Sequence, residues 1–337
     1  MKKIIPIFFA TDDNYAPFLV VCLKSLLANC SKEYDYKFYV LTTNLAQKYQ
    51  DDLKSVVGDS ATIEFVSLKN ELDKLQGMFH LRDYYSKETY YRFFIPDLFP
   101  QYEKVLYLDC DTIILGDIAE LYNTDISDYY VAAAPEEVMA TIKVFGDYVE
   151  KALGVPVKEY FNAGILLINT KKFRKNQIAE KFVDLLKHFT FRVTQDEDYL
   201  NVLCKGHSKI LDLGWNKTAY KNPDFDDKNL KIIHYKINWK PWHYENTLYE
   251  EYFWDFAKQT QYYDMLMKMR DDYSDERKQA DYDAYISLEQ KAIEDTNNPN
   301  FYDKNYLNDD KKEFFLVRYI KKMNKIKEIR KLIGIRK

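Results

Sequence analysis

Apolar residues in the first third of the chain fall in short unbroken runs, separated by longer stretches in which they recur at helical spacing. Residues 4–10 (IIPIFFA) form the first run, short and rich in isoleucine and aromatic side chains, so they predict a buried strand. The stretch from Tyr15 to Ala28 predicts the helix that follows. Further strands are expected at Lys37–Thr42, Thr62–Leu68 and Lys104–Leu108, with helices at Leu45–Val57 and Glu88–Leu98. Strands that are apolar throughout are covered on both faces. Their regular exchange with helices predicts an α/β fold: a Rossmann-like, mixed but mostly parallel sheet flanked by helices.

The pattern continues through the middle of the chain. It predicts a strand at Tyr130–Ala134, a helix at Thr141–Leu153, and a turn running into a buried strand over 161–169 (FNAGILLIN). A long amphipathic helix is expected at Lys171–Phe189 and another at Asp196–Lys205, whose acidic first turn suits the positive end of a helix dipole. Short strands at Lys209–Leu213 and Lys231–Tyr235 complete the expected sheet region. From about Leu248 the sequence becomes charged, tyrosine-rich and helix-like, interrupted by NNPN at 297–300. The expected division is therefore a catalytic domain over 1–248 and a helical region over 249–337.

The last stretch, Phe314 to Ile335, places apolar residues at 316, 319, 320, 323, 326, 329 and 333 with Lys and Arg between them. This reads either as a basic amphipathic helix on an anionic membrane surface or as a terminal helix packed on its own domain. Residues 311–337 carry eleven Lys and Arg against two Glu, although the whole chain has a net charge of −4. The rest is therefore acidic, which does not describe a nucleic-acid binder.

At 337 residues, with 47% hydrophobic and 30% charged residues, the chain can bury one large core or two ordinary ones. Its 30 Tyr and 21 Phe fill cores and surfaces, and also offer faces that suit sugar rings. Four cysteines with no CxxC spacing favour a reducing compartment. Lys2 and Lys3 precede an apolar run too short for a signal peptide, and no run reaches the roughly 20 residues of a membrane span. The expected location is cytoplasmic, with the basic tail as a possible peripheral contact to the inner face of the membrane.

Asp109-Cys110-Asp111 follows directly on the strand expected at Lys104–Leu108. Two carboxylates so placed either cap a turn or share a divalent cation. A diphosphate beside two ionised aspartates would be repelled by about 4 kcal/mol per contact near 4 Å at an effective dielectric of about 20. A Mg2+ or Mn2+ between them reverses that sign. Asp12 and Asp13 also fall just beyond the carboxyl end of a predicted strand, where open α/β sheets bind ligands. The Asp12-Asp13-Asn14 stretch reads equally as a helix cap or as a nucleotide contact with Tyr15 stacking on the base.

Six segments in order resemble glycosyltransferase family 8, a retaining group of GT-A fold that includes lipopolysaccharide galactosyltransferases and glycogenin. They are 9–15 (FATDDNY), 90–96 (YYRFFIP), 105–111 (VLYLDCD), 160–166 (YFNAGIL), 195–198 (QDED) and 234–242 (HYKINWKPW). The resemblance spans residues 4 to about 243 and leaves the final quarter uncovered. It implies transfer of glucose or galactose from a UDP-sugar to a saccharide or glycolipid acceptor in cell-surface glycan assembly. By the same resemblance Asp109, Asp111 and His234 would hold Mn2+ or Mg2+, and Ala10, Asp12, Asn14 and Tyr15 the nucleoside. Lys240 would meet the diphosphate, and Cys110 would lie beside it. Arg92, Asn162, Ala163, Gly164, Asp196 and Glu197 would surround the donor sugar.

This chain departs from the family at two positions. Ile237 stands where the family usually has glycine, and Glu197 where many members have glutamine. A carboxylate at 197 either forms a covalent glycosyl intermediate or stabilises charge at the anomeric carbon. The rival from another class is a haloacid-dehalogenase-type phosphatase, with Asp109 as nucleophile and Asp111 as general acid. It needs a later acidic pair at a strand end, and Asp226-Asp227 follows no apolar strand. A sugar nucleotidyltransferase would need a glycine-rich loop where this chain has TDDN at 11–14. A binding module that keeps the fold without catalysis is the remaining alternative.

Overall fold

The computed structural model describes residues 2–68 and 87–308, so the expected basic helix within 311–337 lies outside the described residues. Ten strands are described: β1 (Lys3–Ala10), β2 (Tyr34–Thr42), β3 (Thr62–Ser67), β4 (Lys104–Leu108), β5 (Thr112–Ile114), β6 (Val131–Ala133), β7 (Ile165–Asn169), β8 (Ser208–Ile210), β9 (Lys217–Thr218) and β10 (Ile232–His234). Seven form one sheet in the order β3-β2-β1-β4-β7-β6-β8. Within it β7 runs antiparallel to both its neighbours, and the other pairings are parallel.

Burial explains why the apolar runs become strands. In β1 the side chains of Ile5, Ile7 and Phe9 enter one core while Phe8 enters the other. The same alternation divides Val105 and Tyr107 from Leu106 and Leu108 in β4. Each face is thus covered, and an unbroken apolar run is what such a strand requires. The chain leaves β1 towards β2 on one side and later enters β4 on the other, so strand order reverses between β1 and β4. The carboxyl ends of those two strands carry Asp12 and Asp109-Asp111 to that switch point.

A second, three-stranded sheet, β5-β10-β9, corrects the expectation that 231–235 finishes the main sheet. Thr112–Ile114, too short to recognise from its pattern, turns away after Asp111 and pairs antiparallel with β10. The register sets His234 opposite Thr112. That pairing carries the histidine to the aspartates.

Three helices also differ from expectation. Residues 88–98 form a tighter 3₁₀ stretch, Lys87–Phe93, and a short helix, Ile95–Leu98, with Pro96 in its first turn. Proline has no N–H to continue an earlier helix but suits the start of a new one. Gln177, at φ 56°, breaks 171–189 into Thr170–Lys175 and Ile178–His188. Residues 141–153 become a helix at Lys143–Asp147 and a wide turn ending at left-handed Gly154. Beyond residue 248, Phe253, Trp254 and Leu266 pack into one core, whereas Ala292 and Tyr302 pack into the other. Among the described residues no helix is long and apolar enough to cross a membrane.

Candidate active site

Asp109, Asp111 and His234 each present a ligand atom, and these atoms all lie within 4.8 Å of one another. His234 Nε2 is 3.2 Å from Asp111 Oδ1 and 3.8 Å from Asp109 Oδ2. Its Nδ1 lies 3.0 Å from Asn216 Oδ1, and the Asn216 amide group donates to Asn162 Oδ1 at 2.7 Å. With that donor already committed, Nδ1 is left to donate to the Asn216 oxygen. The Nε2 lone pair then faces the carboxylates, the tautomer a metal ligand needs. Two carboxylates and one imidazole so arranged fit a Mn2+ or Mg2+ ion.

Lys240 stands behind this cluster, its ammonium 2.6 Å from Asp111 Oδ2 and also bonded to the Tyr235 carbonyl. Burial opposes ionisation of Asp111, but Lys240 and His234 outweigh it and hold the carboxyl well below the usual carboxylate range. Lys240 is itself buried and borders neither cavity described below. Gly164 closes the other side. A Cβ there would meet Asp109 Oδ2 as well as the imidazole, so only glycine leaves the space.

Arg92 joins the cluster to the next group of residues. Its guanidinium contacts Asp109 Oδ1 at 3.1 Å and Asp196 Oδ2 at 3.2 Å, and also donates to the Ala163 carbonyl. It lies over the Tyr107 ring, 4.4 Å from the centroid, while the Tyr107 hydroxyl donates to the same Asp109 oxygen at 2.8 Å. Burial disfavours charge on Arg92, yet Asp109 and Asp196 prevail and keep it charged.

Asp196 and Glu197 open the Asp196–Cys204 helix, immediately after Gln195 at φ 55° and ψ −115°. That conformation is strained for a residue with a side chain, and such strain is characteristic of functional sites. Burial pushes the Asp196 carboxyl up to about 6, with Arg92 opposing it. Glu197 Oε2 accepts from Asn162 Nδ2 at 2.8 Å and from the Ala163 amide at 2.9 Å. Burial and then Glu136 push its carboxyl well above the ordinary range. Asp198, by contrast, is an anchor that accepts from Tyr148, Tyr160 and the Thr194 amide.

Two cavities meet at this point. The larger, about 300 Å³, is lined by Arg92, Asp109, Asn162–Gly164, Asp196, Glu197 and His234. The smaller, about 90 Å³, is lined by Ala10, Asp12, Tyr15, Cys110 and Asp111. Arg92 and Asp109 border both. Asp12 Oδ1 closes the turn that precedes the Ala16–Asn29 helix, accepting from the amides of Asn14 and Tyr15 at 3.0 and 2.9 Å, and the helix itself carries no side-chain cap. Asn14 is exposed and bonds to Asp12. Burial pushes the Cys110 thiol far up, and it donates to the Ala10 carbonyl.

Asn216, Glu136 and Lys236 belong to the same constellation; Asn216 and Glu136 lie in no motif, and Lys236 falls within the 234–242 segment with no role assigned to it by the resemblance. Glu136 shares the Asn162 amide with Glu197 and is paired with Lys236. Its one sequence signal is an acidic residue shortly beyond the end of an apolar strand.

Residues 6–246 match the model of a family described as glycosyl transferase family 8. Similar proteins include the lipopolysaccharide 1,2-glucosyltransferase of Escherichia coli, 26% identical, covering 69% of this chain and 71% of that protein. The lipopolysaccharide 1,3-galactosyltransferase of Salmonella typhimurium is 28% identical, covering 70% of this chain and 72% of that protein. Among solved structures, galactosyltransferase LgtC in complex with donor and acceptor sugar analogs overlays with a TM-score of 0.63 at 28% identity, covering 76% of this chain and 96% of that one. The bifunctional glycosyltransferase WbbM overlays with a TM-score of 0.70 at 24% identity, a likeness of fold, covering 80% of this chain and 52% of that one.

Proposed function

The chain belongs to glycosyltransferase family 8, and on that premise we propose that it moves glucose or galactose from a UDP-sugar to a saccharide or lipid-linked acceptor, with retained anomeric configuration. The observation that carries this reading is the Asp109–Asp111–His234 cluster at the border of two cavities. The smaller takes the nucleoside and the larger the hexosyl group, so the diphosphate spans Arg92 and Asp109. The names of the lipopolysaccharide glucosyl- and galactosyltransferases support a role in cell-surface glycan synthesis.

A divalent ion, Mn2+ or Mg2+, held by Asp109, Asp111 and His234 would offset diphosphate charge and act as a Lewis acid toward the leaving UDP. Arg92 supplies fixed positive charge at the same oxygens without reorganising. Asp196 accepts from donor-sugar hydroxyls, and Asn162, Ala163 and Gly164 allow the ring to approach the backbone. Bonding between the anomeric carbon and the UDP oxygen breaks while the acceptor oxygen bonds to that carbon on the same face. The acceptor proton passes to the departing phosphate. Glu197, biased towards its neutral form, fits a role in positioning better than one as nucleophile.

UDP release from a panel of nucleotide sugars, with and without Mn2+, tests this reading. Release from one UDP-hexose that needs metal and is lost in Asp111→Ala is expected. If UDP does not bind in the presence of Mn2+, the transferase reading fails. No observation favours the phosphatase alternative for Asp109 and Asp111.

A further inference from the structure

The larger cleft has two unlike walls. Most of its polar groups belong to the donor-side network, and the opposite wall is mainly apolar, with Asn238 and Tyr220 as its polar members. Met139, Ile142 and Phe145 come from the segment after β6, Trp239 from the loop after β10, and Tyr285 and Leu288 from the Asp275–Asn297 helix. That helix lies beyond the stretch matched by the family model. Tyr285 contacts Phe145 and Trp239, with ring centroids 6.4 and 6.2 Å apart, so Trp239 and Tyr285 present the surface and the buried Phe145 backs it. Trp239 is 41% exposed, an unusual degree for so large an apolar side chain beside a reaction centre.

Among the described residues polar partners are scarce along this wall. Asn238 Nδ2 donates to the Asp281 carbonyl at 3.0 Å, and the Tyr285 hydroxyl donates to Glu289. A sugar hydroxyl pressed against the wall would give up water without an equivalent partner, which is unfavourable. A hydrocarbon loses nothing polar there and gains from leaving water. Resting on the transferase reading, we propose that the acceptor carries a hydrocarbon group beside its reacting hydroxyl and that the Phe145–Tyr285–Trp239 wall, with Leu288, binds it. This selects the lipid-linked acceptor over the free saccharide.

The test uses the full chain with Mn2+, its UDP-hexose donor, and methyl, hexyl and phenyl glucosides and galactosides as acceptors. Each buried methylene is worth about fourfold, so kcat/KM for the hexyl and phenyl acceptors should exceed that for methyl by at least tenfold. Tyr285→Ala and Leu288→Asn should bring that ratio towards one. Equal use of the three acceptors by the unaltered protein overturns the proposal, whatever the variants do. If none is glycosylated, saturation-transfer NMR with UDP and Mn2+ decides: saturation of the hexyl protons above the ring protons supports it, and equal saturation overturns it. Donor hydrolysis in the same samples separates the two readings. UDP release without an aglycone preference defeats this inference alone, whereas absence of UDP binding defeats the transferase reading.

Discussion

Gly164 and His234 are packed so closely that a Cβ on the glycine would lie 2.3 Å from the imidazole Cε1, and 2.7 Å from Asp109 Oδ2. Neither neighbour can yield without leaving the metal-ligand geometry. Gly164→Ala should therefore weaken Mn2+ binding by tenfold or more, as read by electron paramagnetic resonance of the free ion. Binding equal to that of the unaltered protein would mean that these residues do not hold the ion.

Asn216 fixes the imidazole from behind, and such partners are typically worth 10–100-fold in metal affinity. Asn216→Leu should weaken Mn2+ binding within that range and leave His234 Nδ1 and Asn162 Oδ1 without their present partner. Asn216→Asp keeps an acceptor for Nδ1 and should recover part of the loss. Equal affinities in the two variants would argue against orientation of the histidine as the cause.

Burial raises the Asp196 carboxyl from the ordinary aspartate value of about 3.9 to about 6. Between those values the unfolded chain holds fewer protons at this site than the folded one, so stability falls as pH rises through that window. The shift corresponds to about 3 kcal/mol. The ionised form is the one that pairs with Arg92 and, in the proposed function, accepts sugar hydroxyls. Donor kcat/KM should accordingly climb with pH through about 6, and Asp196→Asn should lose that acid limb. A limb that persists in the variant belongs to another group.

Glu197 uses one oxygen to hold the Asn162 amide and the Ala163 N–H, and a glutamine carbonyl can accept the same bonds. Glu197→Gln should retain kcat within about tenfold, an effect near 1.4 kcal/mol. Mass spectrometry under slow turnover should find no glycosylated peptide containing residue 197 in the unaltered protein. A covalent adduct there would reverse the assignment and make Glu197 the nucleophile.

Strands buried on both faces were legible because nothing in them alternates: the expected bounds of β4 agree with the structure, and those of β1 differ by a single residue. The break at Gln177 was not, because it depends on one backbone angle inside an otherwise helical pattern. β5 and β9 span three and two residues, too few to show a period. Asp109 and Asp111 could be found because they follow a strand end, and His234 through the resemblance of the 234–242 segment. Asn216 could not, since it acts through a partner 18 residues away. Asp12 closes the turn before the first helix without capping it, and it also lines the smaller cavity, a pairing of roles that its sequence could not separate. Trp239 and Tyr285 looked like two among many aromatic residues until the fold set their rings side by side.

The pairing of β10 with β5 has a thermodynamic consequence. His234 and the two aspartates are more than a hundred residues apart in the chain, and register with Thr112 is what brings them together. An unfolded chain therefore has no such site, so an ion bound there stabilises the native state by mass action. The small sheet and an ion held there would support one another. Melting temperature should rise with Mn2+ concentration, making heat a reporter on the site that needs neither donor nor acceptor.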